Sequence, residues 1–173
     1  MLHNLICFFL VTSCRIDLQE DSLKLEQRKV VLTERAITVL NENIGKWSLC
    51  GSNYVVYDDR GTRVTKRYAD LIAGDFNGDG RQDFAVLINT ATNGYLVALL
   101  ASDSTYGVQV IDSSGCNDGT IIDLVPEGTT EYDLITKTPH TYTTDAIGFG
   151  YYEKSGGTYF FQDGRFRYLS TSD

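Results

Sequence analysis

The sequence predicts a mainly β protein: a single antiparallel meander sheet with a strand-loop-strand unit in it and one N-terminal helix packed on it. Three observations carry that prediction. Beyond Trp47 the chain runs as short apolar or alternating stretches at roughly ten-residue spacing, each the length of one strand. Turn dipeptides separate them, of which Asn93-Gly94 and Asp163-Gly164 are strong hairpin signals because both residue types accept positive φ. No proline interrupts the series between Trp47 and Pro126, so backbone donors are available for pairing.

The helix is expected over Glu34 to Glu42, with Ala36, Ile37 and Leu40 on one face. Thr33 stands at the N-cap position and Gly45 just past the end. Val30, Val31 and Leu32, directly before it, also read as a short strand. Strands then follow at Tyr54 to Tyr57 and Val64 to Tyr68, around a turn at Asp58-Asp59-Arg60-Gly61. Further strands are expected at Leu71 to Ala73, Phe84 to Ile88, Tyr95 to Leu100, Gly107 to Ile111 and Thr120 to Val125. Ile147, Phe149 and Tyr151 alternate, and Tyr159 to Gln162 with Arg165 to Leu169 close the series.

The most specific chemistry lies between two of these strands, in Gly74 to Leu87, GDFNGDGRQDFAVL. Counting from Asp75, side-chain oxygens fall at alternate positions as Asp75, Asn77 and Asp79, and again at Asp83. Alternate side chains of a tightly coiled loop point inward, and Ca2+ takes about six to eight oxygen ligands, so these four, the Arg81 carbonyl and a water complete a shell. Gly78 and Gly80 permit the positive φ that wrapping around an ion requires. An EF-hand needs a bidentate Glu where this chain has Val86, and apolar strand sequence follows instead of a helix. The metal ligands expected are therefore Asp75, Asn77, Asp79, Arg81 through its backbone, and Asp83. An Asp/Gly-rich turn that binds no ion is the bland alternative.

With Asp75, Asn77, Asp79, Gly80 and Asp83 the loop resembles the FG-GAP and VCBS-type repeats of integrin-like and bacterial surface proteins. That resemblance implies direct ligation by the Asp at the ninth position and a structural calcium ion. Such repeats normally assemble as propeller blades, which need about four blades or more, and this chain has room for one or two. Asp118-Gly119 offers no comparable oxygen pattern and reads as a turn.

At the N-terminus, Leu5 to Val11 is apolar but too short to span a bilayer, as expected of a signal-peptide core. Val11-Thr12-Ser13-Cys14 resembles the lipobox of bacterial lipoproteins, which implies lipidation at Cys14. Another kind of signal, or a buried strand suited to Phe8 and Phe9, are the other readings. The expected organisation is a signal peptide with lipobox at 1–14, a polar tether at 15–22 and one FG-GAP/VCBS-like domain at 23–173. The resemblance places the protein in the bacterial cell envelope, on an extracytoplasmic or periplasmic face, touching membrane only through the lipid.

Net charge is −8 without any Lys/Arg cluster, so the field of the chain repels phosphate backbones and nucleic acid is not an expected partner. Cys50 and Cys116 remain once Cys7 and Cys14 are assigned to the leader; they form a disulfide or stay as two buried thiols. No catalytic constellation stands out. His140 follows Pro139 in a Thr-rich stretch that reads as an exposed loop, without a nucleophile motif around it. Asp123, Glu127, Glu131 and Asp133 supply carboxylates for glycoside hydrolysis, but sequence spacing does not give their separation in space. The function expected is a non-catalytic, calcium-binding recognition module for an envelope protein or glycan. An envelope inhibitor or immunity-type protein, and a hydrolase accessory domain, are the alternatives.

Overall fold

The computed structural model describes residues 30–51, 53–57, 63–67, 69–113, 116, 119–151 and 155–172, and for 53–57 and 63–67 the backbone alone. The leader, the lipobox with Cys14, the tether, the Asp58 to Gly61 turn and Asp118 lie outside the described residues.

Helix α1 (Glu34–Ile44) starts where capping chemistry places it. The Thr33 side chain accepts a hydrogen bond from the Ala36 amide at 3.1 Å, and Gly45, at φ 84°, returns its amide to the Asn41 carbonyl. Its buried residues are Ala36, Val39 and Leu40, so the face is rotated from the expected one and Ile37 is 39% exposed. Residues 30–32 form no strand.

Among the described residues thirteen strands follow: β1 (Ser48–Leu49), β2 (Asn53–Tyr57), β3 (Arg63–Arg67), β4 (Leu71–Gly74), β5 (Asp83–Asn89), β6 (Gly94–Ala101), β7 (Tyr106–Asp112), β8 (Thr120–Val125), β9 (Thr130–Asp133), β10 (Thr138–Thr141), β11 (Ala146–Tyr151), β12 (Gly156–Gln162) and β13 (Arg165–Ser172). The protein is mainly β, antiparallel and carries one short helix, but the strands do not form a single meander sheet. One sheet runs β1-β5-β6-β7, with β4 also pairing β5; another runs β13-β12-β11-β8; β2-β3 and β9-β10 are separate hairpins.

The division has a packing cause. On β5 and β6, Ala85, Leu87, Leu96, Ala98 and Leu100 form a core with Ile122, Ile147 and Phe149 of the second sheet. The alternate residues Phe84, Val86, Ile88, Val97 and Leu99 pack against Ala36 and Leu40 of α1. The first sheet is thus buried on both faces, which is why its central strands read as continuous apolar runs. A single sheet covered by a helix would leave the Ala85/Leu87 face in water.

The β9-β10 hairpin lies over the outer face of the second sheet, where Val125, Tyr142 and Ala146 cluster with Phe160. His140 is therefore not an exposed loop residue. It sits on β10, half-buried, with its ring centroid 4.4 Å from that of Phe160 and 5.0 Å from that of Tyr142. Pro139 is tolerated there because, among the described strands, β10 pairs only with β9. Cys50 and Cys116 form a disulfide, with Cα atoms 5.5 Å apart. No helix among the described residues is long and apolar enough to cross a membrane.

Candidate metal site

Antiparallel pairing of β4 with β5, ending at Gly74 opposite Asp83, closes the loop that carries Asp75, Asn77 and Asp79. Inside it, carboxylates and backbone amides are tightly matched. Asp75 Oδ1 accepts from the amides of Gly78 at 2.9 Å and Asp79 at 3.0 Å, and Asp75 Oδ2 from Gly80 at 2.7 Å. Asn77 Oδ1 takes a second bond from the Asp79 amide, and Asp79 Oδ1 takes the Arg81 amide at 2.9 Å. Gly78 at φ 75° and Gly80 at φ 79° supply the left-handed turns that aim these amides inward.

Asp83 sits apart from the other three acceptors. Its carboxylate is fully buried beneath the loop, with Oδ2 on the Phe76 amide at 2.9 Å and Oδ1 on the Ala101 amide at 2.7 Å. Burial pushes its pKa up to about 6 despite those donors, and the charge of Asp79 adds to the rise. Arg81 brings its side chain as well as its carbonyl: the guanidinium contacts Asp103 and lies 3.4 Å from Asp79 Oδ2.

Three contributors escape any local reading. Phe76, between two proposed ligands, is fully buried in the core and pins the loop to the sheets. Asp145, in the β10-β11 connection, accepts the Asp75 amide on Oδ2 and the Glu127 amide on Oδ1, each at 3.0 Å. Thr144 donates to the Phe76 carbonyl at 3.0 Å, and the Asp145 amide donates to the Asp75 carbonyl at 3.2 Å. The second sheet therefore clamps the loop against the first.

Among the described residues no three His, Cys, Asp or Glu side chains are gathered as a ready cage. The donor set is nevertheless entirely oxygen, the choice of a hard cation such as Ca2+. Asp79 Oδ1 accepts one amide and so retains a further lone pair, and Asp79 and Gly80 are exposed at the loop surface. The residues match such an ion in donor type, while Asp83, at the base of the loop, is bound to the Phe76 and Ala101 amides.

Of the four acids weighed for hydrolysis, Asp123 and Glu131 line one groove, while Glu127 and Asp133 are outside it. The chain has no significant match to any protein-family model, curated protein or solved structure.

Proposed function

We propose that the protein is a non-catalytic recognition module of the bacterial cell envelope whose Asp75 to Asp83 loop binds a structural calcium ion. The observation that carries the reading is the loop itself: alternating oxygens on a backbone turned by two left-handed glycines, closed by a β4-β5 pairing and buttressed by Asp145. Asp75, Asn77, Asp79 and Asp83 would supply side-chain oxygens and Arg81 its carbonyl. A divalent ion offsets the repulsion among three acids and opposes the rise in the Asp83 pKa. Recognition of a protein or glycan falls to the exposed strands and connections. The Cys50–Cys116 disulfide supports an oxidising compartment, in keeping with lipid attachment at Cys14.

The test is thermal unfolding of the full chain in chelator and in about 10 mM Ca2+, beside Asp79→Ala. For an extracellular-type site with Kd near 0.1 mM, linkage gives about 2.7 kcal/mol, or roughly 5 to 10 °C. A rise in the wild type that Asp79→Ala loses supports the site; no rise, or an equal rise in the variant, overturns it. For the anchor, a Cys14 found unmodified by mass spectrometry after bacterial expression would exclude lipidation.

A further inference from the structure

The outer face of the second sheet is only partly covered by the described residues. Tyr142 and the β9-β10 hairpin sit over Val125, Ala146 and Phe160, and half of the positions in the next two rows of the sheet are glycine. In register, Asp123 of β8 faces Gly148 of β11, which faces Thr158 of β12; the following row is Ile121, Gly150 and Gly156. Gly148, Gly150 and Gly156 therefore line a half-open groove of about 320 Å3, with Gly150 and Gly156 packed closely against each other.

The groove has a built acidic side. A Cβ on Gly148 would stand 2.2 Å from Asp123 Oδ1, so the carboxyl occupies the space that a side chain would take. Glu131 enters from the overlying hairpin, its Oε2 held by the Thr158 hydroxyl at 2.6 Å and by the Tyr142 hydroxyl. Asp123, by contrast, accepts no hydrogen bond among the described residues. Desolvation and the nearby Glu131 charge raise its pKa, as expected of a carboxylate lacking a counter-charge. No Lys, Arg or His among the described residues lines the groove, whereas Ile121 and Val125 give it an aliphatic wall.

We propose that this groove receives an organic cation, a guanidinium or ammonium head on an aliphatic stem, with Asp123 as the direct partner and Glu131 beside it. The stem lies along Ile121 and Val125 and the head against the Asp123 carboxyl, which lies over Gly148. Anionic ligands are disfavoured by the two carboxylates. A guanidinium suits the site best, since its planar fork pairs with a carboxylate and is weakly hydrated. The proposal takes the protein as a recognition module and names the chemistry recognised; it does not depend on the calcium loop.

The test is NMR titration of the 15N-labelled full chain, in chelator, with agmatine and with pentylurea, which has a similar stem and a neutral head. Agmatine should give saturable shifts at the amides of Gly148, Gly150 and Gly156 in the millimolar range, weakening as salt is added. Asp123→Asn, which keeps the shape, should weaken binding about tenfold, the loss of one such pair, while Glu127→Gln, outside the groove, should not. A Gly-Gly-Arg-Gly-Gly peptide separates two sources: tighter binding than agmatine marks a protein segment, and equal or weaker binding a free amine. Unsaturable shifts, an equal response to pentylurea, or undiminished binding by Asp123→Asn would overturn the proposal. Because chelator is present throughout, failure here leaves the calcium reading intact, and loss of the calcium response leaves this titration unaffected.

Discussion

Asp145 illustrates how a site residue can be invisible in sequence. The alternating oxygens of Asp75, Asn77 and Asp79 are a local pattern and were readable, but Asp145 reaches Asp75 from 70 residues away and no spacing rule connects them. It accepts two amides from different connections, so Asp145→Ala should cost about 2 kcal/mol, a Tm fall of roughly 5 to 8 °C, and should also reduce the calcium-induced rise. Asp145→Asn, retaining one acceptor, should fall between the two in unfolding scans; a wild-type Tm in Asp145→Ala would refute the clamp. Asp123 gives a prediction of opposite sign. Its folded pKa is raised, so the folded state favours the protonated acid and is penalised progressively as pH rises from the ordinary carboxylate range, in full above the folded pKa. Asp123→Asn mimics the neutral form and should raise Tm at pH 7, by about 1 to 4 °C after allowing for solvent screening. The gain should shrink as pH falls towards the ordinary carboxylate range, below which both states are protonated. A Tm difference independent of pH would show that Asp123 carries no such penalty.

Elements were more legible than their partners. The strands beside Asn93-Gly94 are expected close to their place, and Asp163 at φ 53° with Gly164 at φ 80° makes the tight turn that the dipeptide predicts. The β9-β10 hairpin was missed because its strands are polar and carry Pro139, so neither apolar alternation nor propensity marks them. The face of α1 was misjudged for another reason: Ile37 and Val39 both fit an apolar stripe near Ala36 and Leu40, and only docking on Phe84, Val86 and Val97 decides between them. The observed face gives a direct comparison. Leu40→Ala, fully buried, should lose about 2 to 5 kcal/mol, whereas Ile37→Ala should stay within about 0.5 kcal/mol of wild type by denaturant unfolding. Equal losses would return the helix to the face first expected. Thr33→Ala should cost about 1 kcal/mol through the lost cap to Ala36.

At the scale of the molecule, the number of sheets could not be read because strand length and spacing are the same for a meander and for two packed sheets. What separates them is which connection crosses from one sheet to the other, and that connection is the one from β7 to β8. Cys116 lies within it and is joined to Cys50, between β1 and β2, across a sequence separation of 66. The bond therefore ties the crossover to an edge of the first sheet, where the Cys50 amide also donates to the Leu87 carbonyl at 3.2 Å. Closing a loop of that length restricts the unfolded chain, worth about 4 kcal/mol in the chain-entropy model. Reduction, or Cys50→Ser with Cys116→Ser, should thus lower Tm by roughly 10 °C. Saturating Ca2+ should add its own increment to both forms without removing the difference, because the loop and the disulfide act on separate parts of the chain. If reduction abolished the calcium increment instead, the crossover and the Asp75 to Asp83 loop would be one cooperative unit. If it left Tm unchanged, the two sheets would be held by their shared core of Leu87, Leu96, Ile122 and Ile147 alone.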